Sequence, residues 1–376
     1  MKIIVLGCGL VGKPMAIDLA PDFDVTVADI SAENLNKIGK EHGIKTIQQD
    51  LSNKNELSAL LKDFDLVVNA VPGFMGFETL RTIIEAGKDV VEIAFSPEDV
   101  MLLDELARQN GVTAICDMGV APGMSNVLIG HVTEMMDKTE KVRIYVGGLP
   151  KKRTWPFEYK APFSPIDVIE EYTRPARVVE HGKEVIKEAL SEVELMSFDP
   201  VGTLEAFNSD GLRSLVHTID APDMVEKTLR YPGHAELMKA FRATGFFSQE
   251  SIEVKGQKIR PIDLTAKLLF PKWELGIEEA ELTIMQVMIE GIKEGKKMRY
   301  TYDLYDEYDP QTKTHSMART TGYAATAAVR MLAEGWYHQK GVSVPEFIGR
   351  HPDCVQFILE RLKERGIEYK EKIEEL

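Results

Sequence analysis

The chain has 376 residues, with 45 Lys+Arg against 60 Asp+Glu and a formal charge of −15. This length holds two or three domains with real cores, and 44% hydrophobic with 28% charged residues excludes a disordered or collagen-like chain. The acidic balance argues against nucleic acid as the main partner, because phosphate binding needs a basic surface, and leaves a small charged substrate open.

The first 126 residues alternate short apolar runs with amphipathic stretches. Strands are predicted at 3–6, 25–28, 46–48, 66–70, 90–93 and 113–115, and helices near 12–19, 32–41, 55–62, 77–86 and 97–109. Apolar runs of four or five residues, alternating with helices, are the signature of a parallel sheet covered on both faces. From about 141 the pattern changes. A strand alternates over 142–146, a loop rich in Lys, Pro and aromatics follows over 151–165, and 200–320 mixes short strands with helices. Strand candidates fall at 282–289 and 298–305, and the turn Asp309-Pro310-Gln311-Thr312-Lys313 is read as separating two strands. A strong helix is expected over 321–336 and two more over 345–365, ended by Gly366. The Lys/Glu-rich tail reads as a solvated helix.

Cys8, Cys116 and Cys354 are odd in number and far apart, which fits reduced, intracellular usage without disulfides or metal-ligand spacing. The apolar opening stops at Gly7, too short for a signal sequence or a membrane span. A soluble, cytoplasmic protein without a metal site is expected.

Gly7-Cys8-Gly9-Leu10-Val11-Gly12 reads G-x-G-x-x-G directly after a strand and at the start of a helix, the context a dinucleotide needs. Gly7 allows the tight turn, Gly9 lets backbone approach a pyrophosphate, and Gly12 lets helix and strand pack closely. The helix N-terminus, with Cys8, Leu10 and Val11 leading into it, offers N–H groups to the anion. Asp29 closes the second strand where a carboxylate accepts from a ribose 2′-hydroxyl and repels a 2′-phosphate, so NAD is expected; Ser31 is the better cap for the following helix. Asn69-Ala70-Val71-Pro72 ends the fourth strand at the carboxyl edge, beside the expected nicotinamide ribose. The fold expected is α/β: a Rossmann-type doubly wound parallel sheet over 1–126 plus 318–376. A second α+β domain with a mixed or antiparallel sheet is expected over 127–317, and its open edge predicts a homodimer or higher oligomer.

A second glycine-rich turn, Asp117-Met118-Gly119-Val120-Ala121-Pro122-Gly123-Met124-Ser125-Asn126, joins the sixth strand to a helix. Together with Tyr145-Val146-Gly147-Gly148-Leu149-Pro150, Glu205-Ala206-Phe207-Asn208-Ser209-Asp210-Gly211, Arg230-Tyr231-Pro232-Gly233-His234 and Thr320-Thr321-Gly322, it resembles the saccharopine reductase / L-lysine 6-dehydrogenase family over essentially the whole chain. Within that family the chain is most similar to the lysine-oxidising members. It has Ala121-Pro122-Gly123-Met124-Ser125-Asn126 in place of the Asp-Pro-Gly-x-Asp-His form of saccharopine-forming members.

The resemblance implies NAD-dependent oxidation of the ε-amine of L-lysine, with oxidation of saccharopine as the alternative. A non-catalytic NAD-binding scaffold is the rival from another class. Such chemistry needs a base near the amine, for which Asp117 and His234 are the candidates, His234 because imidazole titrates near neutrality. Family position marks Arg213 and Arg230 as carboxylate clamps. Gly119, Pro122, Gly123, Tyr159, Lys160, Asn208 and Thr320 complete the expected substrate site.

Overall fold

The computed structural model describes residues 1–276 and 278–376. The chain opens with β1 (Lys2–Leu6), α1 (Gly12–Leu19), β2 (Asp24–Asp29), α2 (Ala32–His42), β3 (Lys45–Gln48) and α3 (Lys54–Leu61). β4 (Leu66–Asn69), α4 (Gly73–Glu85), β5 (Asp89–Glu92), α5 (Asp104–Gln109), β6 (Thr113–Ile115) and α6 (Met124–Met135) follow. Next come β7 (Lys138–Pro150), α7 (Pro165–Thr173), β8 (Ala176–Glu180), β9 (Lys183–Lys187), β10 (Glu194–Phe198), β11 (Gly202–Asn208) and α8 (Leu215–Thr218). β12 (Asp223–Arg230), α9 (His234–Ala243), β13 (Ile252–Val254), β14 (Gln257–Ile259), α10 (Pro261–Trp273), β15 (Glu281–Lys293) and β16 (Lys296–Glu307) continue the chain. It ends with α11 (Ser316–Ala333), β17 (Gly341–Ser343), α12 (Pro345–Gly349), α13 (Pro352–Lys363) and β18 (Tyr369–Glu375).

Two compact units result: Met1–Met135 with Met317–Glu368, and Met136–Ser316 with Tyr369–Leu376. The expected bounds shift in two places. The helix after the second glycine turn, α6, stays in the first unit, because its apolar residues Val127, Leu128 and Ile129 are fully buried there. The chain's last eight residues belong to the second unit.

The first unit is a seven-stranded parallel sheet in the order β17-β6-β5-β4-β1-β2-β3. Ile3, Ile4, Val5 and Leu6 are all fully buried, as a strand covered on both faces requires. Strand order reverses between β1 and β4, which makes the loops after these two strands the switch point of the sheet. Ser31 caps α2 by accepting the Asn34 N–H at 3.3 Å, and Gly43, at φ 68°, ends it in the left-handed conformation.

The second unit holds a nine-stranded mixed sheet with the path β10-β11-β12-β7-β15-β16-β18; β8 pairs with β12 and β9. Only β12 and β7 run parallel in it. α7, α9 and α10 contribute Tyr172, Met238 and Trp273 to an apolar core that also takes Tyr159 and Phe207. Two expectations fail here for identifiable reasons. The turn at 309–313 leads from β16 into α11, whereas β15 and β16 are joined at Glu294-Gly295, with φ 52° and 74°, a two-residue left-handed turn that matches strand twist. The charged tail is strand β18, paired with β16 from Met298↔Glu375 to Leu304↔Tyr369. Tyr302 donates to Glu371 at 2.5 Å and Lys296 pairs with Glu375 at 2.8 Å, so tertiary pairing overrides helix propensity. Its charges also suit a sheet edge that must not recruit further strands.

A carboxylate fastens the returning chain to the start of the first unit. Asp18 on α1 accepts from Thr326 Oγ1 at 2.6 Å, Arg330 Nη1 at 2.8 Å and Arg365 Nε at 2.6 Å, while Asp22 takes Arg330 Nη2 at 2.7 Å. Arg330 is buried and Arg365 nearly so, and removing Asp18 takes a carboxylate from both, leaving Asp22 alone on Arg330. Asp18→Ala is expected to lower stability by about 3 kcal/mol, measured as a shift of the urea unfolding midpoint.

Candidate active site

The glycine loop is built by backbone contact. Gly7 has φ 103°, and a Cβ there would lie 2.5 Å from Ala70 O. A Cβ on Gly12 would lie 2.1 Å from Gly7 O, so helix α1 is pressed directly onto the end of β1. Gly9 differs, because a Cβ there meets nothing within 4 Å. That side of the loop is open, and no side chain caps α1 at Val11. The loop therefore presents backbone to an open face at a helix N-terminus, which is what an incoming pyrophosphate requires. Leu10 is about half exposed, and the buried Cys8 thiol is pushed up to about 11 by burial and by Asp29. Such a thiol is no nucleophile at neutral pH.

Asp29 stands at the end of β2, and its carboxylate accepts the Cys8 N–H at 2.6 Å and the Ser31 N–H at 2.7 Å. Ser31 does the capping of α2, so Asp29 is held beside the glycine loop for another purpose. An open pocket adjoins it, lined by Ile30, Gln48, Gln49, Asp50 and Leu60 among others. These residues fit a pyridine dinucleotide.

Along the same carboxyl edge, β4 ends in Asn69, whose buried side chain donates to Gly76 O at 3.5 Å. Ala70 and Val71 cross beside Gly7, and Pro72 opens α4, which starts at Gly73, earlier than its apolar pattern suggests. β5 ends in Glu92 and β6 leads into Asp117, both almost fully buried. Glu92 Oε2 accepts the Asp117 N–H at 3.1 Å. The turn after Asp117 closes on itself: Gly119 N–H donates to Pro122 O at 3.1 Å, and a Cβ on Gly123 would lie 2.0 Å from Gly119 O. Thr320 on α11 is fully buried in this unit, and its neighbour Thr321 lies within reach of a Cβ on Gly119. Sequence reasoning passed over Glu92, although one acidic residue in the run Val90-Val91-Glu92-Ile93 was a visible anomaly.

In the second unit His234, Tyr159, Tyr172 and Arg230 come together. His234 Nδ1 faces Phe157 O at 3.0 Å, which fixes the proton on that nitrogen, so Nε2 accepts from Tyr172 O–H at 2.9 Å. Arg230 donates to Tyr172 Oη at 3.3 Å, to Glu171 at 2.5 Å and to its neighbouring carbonyl at 2.9 Å, and its guanidinium lies 4.5 Å from the Tyr159 ring. The expected carboxylate clamp at Arg230 is thus an internal ion pair whose partner is Glu171. His234 does not titrate near neutrality: burial and the adjacent Arg230 push it down to about 3. It stays neutral, and its Nε2 accepts the Tyr172 O–H.

The other expected residues are held elsewhere in this unit. Lys160 donates to Glu274 O at 2.8 Å, and Asn208 donates to Ser191 Oγ at 3.0 Å and Glu192 Oε2 at 3.1 Å. Arg213, buried at φ 52°, ends the loop that follows β11 and lies near enough to Arg174 to help lower its basicity, after burial. Glu226 anchors that loop by accepting from Ser209 Oγ at 2.8 Å and Gly211 N–H at 3.1 Å; burial pushes its carboxyl up to about 8. Among the described residues no cluster of three or more His, Cys, Asp or Glu could hold a metal ion, and no helix is long and apolar enough to cross a membrane.

A switch-point cradle for a dinucleotide, joined to a mixed-sheet unit, defines a two-unit α/β oxidoreductase fold. The chain matches the saccharopine dehydrogenase NADP binding domain over residues 3–115 and the saccharopine dehydrogenase C-terminal domain over 119–367. It belongs to the saccharopine dehydrogenase family. It is 23% identical to the mitochondrial alpha-aminoadipic semialdehyde synthase of Mus musculus, over 97% of this chain and 47% of that one. It is 26% identical to the saccharopine dehydrogenase [NADP(+), L-glutamate-forming] of Saccharomyces cerevisiae, over 69% of this chain and 61% of the other. Identity is 23% to the carboxyaminopropylagmatine dehydrogenase of Synechocystis, over 99% and 98% of the two chains. The chain spans about half the length of the semialdehyde synthases it matches. The apo saccharopine dehydrogenase of Saccharomyces cerevisiae superposes with a TM-score of 0.80 at 21% identity, covering 99% of both chains, which shows a shared fold.

The neutral His234 makes a pH prediction. Its folded value, about 3, lies below the unfolded value near 6.5, so the unfolded chain takes the proton first. The stability it contributes is full above pH 6.5 and is lost as pH falls toward 3. His234→Gln is expected to flatten this acid loss by up to about 1.4 kcal/mol per pH unit, seen by comparing urea midpoints of variant and wild type from pH 7 to 4.5.

Proposed function

We propose that the chain is an NAD-dependent dehydrogenase that oxidises the carbon beside the nitrogen of a secondary amine joining two amino-acid-like parts, as in saccharopine. The observation that carries this reading is the two-domain family match in a chain whose Gly7–Gly12 loop and Asp29 fit a dinucleotide. The relatives named for saccharopine and for carboxyaminopropylagmatine support a substrate that carries a carboxylate and a substituted amine.

When bound, the oxidised nucleotide supplies the hydride acceptor. The Gly7–Gly12 backbone would hold its pyrophosphate, Asp29 its adenosine ribose, and the pocket of Ile30 and Leu60 its adenine. Asp29 supports NAD over NADP. Its carboxylate opposes a 2′-phosphate, and Ile30 and Ser31 offer no cation to offset that. Asp117 is the group we assign to the amine proton. It takes that proton as the C–N bond gains double-bond character; water adds to the imine, and Asp117 returns the proton to the nitrogen as the resulting carbinolamine breaks its C–N bond to a carbonyl and a primary amine. In the second unit Arg213, buried on the loop after β11 and placed by the family resemblance, is the residue we assign to a substrate carboxylate.

One observation favours a second reading, oxidation of the primary ε-amine of lysine. The chain lacks the Asp and His of the Asp-Pro-Gly-x-Asp-His form, and its Asn126 is buried and donates to Glu346 at 3.2 Å. Formation of reduced nucleotide from saccharopine and from lysine, each with NAD and NADP, separates the two. We expect saccharopine with NAD to give the highest kcat/KM; turnover of lysine alone would establish the second reading. Tight NAD binding with no turnover of either amine would establish a scaffold. Asp117→Asn is expected to lower kcat by about 100-fold or more with little change in the Kd for NADH. Asp29→Ser is expected to narrow the preference for NAD over NADP, read as the ratio of the two kcat/KM values.

A further inference from the structure

We propose that Glu92 is a positioning residue that fixes the Asp117 turn to the sheet, an inference that rests on the assignment of Asp117 to the amine proton. The regular β5–β6 pairing runs through Val90↔Ala114 and Val91↔Ile115 and stops there. Beyond Ile115 the chain must leave the sheet, yet it does so in a fixed way. On one side, Cys116 N–H donates to Ser343 O of β17 at 3.1 Å. On the other, Glu92 takes two consecutive amides: its side-chain Oε2 accepts the Asp117 N–H at 3.1 Å, and its backbone O accepts the Met118 N–H at 3.0 Å. A carboxylate side chain thus replaces a ladder carbonyl where the ladder has ended.

The position demands such a clamp. Asp117 has φ 54°, a left-handed conformation that a non-glycine residue keeps only when its surroundings fix it. The bonds from Gly119 N–H to Asp117 O and to Pro122 O are internal to the turn, and those from Met124 N–H to Gly119 O and Ser125 N–H to Val120 O join it to the start of α6. Burying an acid at the end of Val90-Val91-Glu92 is unfavourable unless its oxygens are used, and here one is spent on the residue assigned to the chemistry. Glu92 acts as a hydrogen-bond acceptor in this role, so an amide oxygen should replace it and a methyl group should not.

The test compares E92Q and E92A in the full chain, alone and with Asp117→Asn. The first readout needs no substrate: amide hydrogen exchange of the peptide covering 113–126. We expect protection of that segment to fall at least tenfold in E92A and to be recovered in E92Q; unchanged protection in E92A would overturn the proposal. The second readout is kcat with whichever amine the wild type oxidises. We expect E92A to lower kcat at least tenfold with the Kd for NADH within threefold, E92Q to recover most of that loss, and E92A to add little in the Asp117→Asn background. A loss of the same factor in both backgrounds, or E92Q as poor as E92A, would overturn it. If no amine is turned over, the assigned function fails while the exchange measurement still decides the role of Glu92.

Discussion

The first unit depends on one steric constraint: three backbone segments meet at the switch point with no room for a Cβ between them. Gly12 sits on the carbonyl of Gly7, and Gly7 sits on the carbonyl of Ala70. These approaches hold α1 against the end of β1 and the exit of β4 beside both. Gly9 lies between the two crowded glycines and faces open space. The same loop is therefore closed toward the protein and open toward a ligand, and the position of Asp29 follows from it, because the Cys8 amide inside that loop holds the carboxylate. A side chain at Gly7 or Gly12 would displace the phosphate cradle and the ribose-side carboxylate together.

The two units handle buried charge in different ways. In the first, Glu92 and Asp117 lie at adjacent strand ends and are joined through a backbone amide, which Glu92 Oε2 accepts. In the second, Arg230 is neutralised by Glu171, stacked on Tyr159 and bonded to Tyr172, while the imidazole of His234 stays uncharged beside it. A cation so matched stabilises a packed core and has little left for a ligand. Arg213, to which the proposed function assigns a substrate carboxylate, sits on a separate loop that Glu226 anchors.

Much of the first unit was legible in the sequence because its signals are local. Buried parallel strands must be apolar on both faces, so 3–6, 66–70 and 90–93 announced themselves, and a backbone that must approach another backbone must be glycine. What stayed hidden depends on distant partners. His234 looked like a base because imidazole titrates near neutrality, but the burial that lowers it and its partner Tyr172, 62 residues earlier, leave no mark in the local sequence. The tail 369–375 looked helical by composition, and only the free edge of β16 makes it a strand. Glu92 shows both sides of this limit: its oddity in an apolar strand was visible, but the use made of it was not.

The net charge of −15 says little about the ligand, because the charges that matter are few and local. Asp18 illustrates the structural share. It takes two arginines and a threonine, and its charge is spent on holding the returning helix to α1. Edge charges such as Glu371 and Glu375 serve the sheet. With these accounted for, two carboxylates at the carboxyl edge bear on chemistry. Asp29 accepts the Cys8 and Ser31 amides beside the glycine loop, and Asp117 is set in a left-handed turn whose amide Glu92 accepts. The Asp29 carboxylate accepts two backbone amides and the Asp117 turn hangs from Glu92 by its own amide, so the sheet sets both positions before any ligand arrives. That preorganisation is what a hydride transfer needs, since the reacting carbon must be held within about 3–3.5 Å of its acceptor.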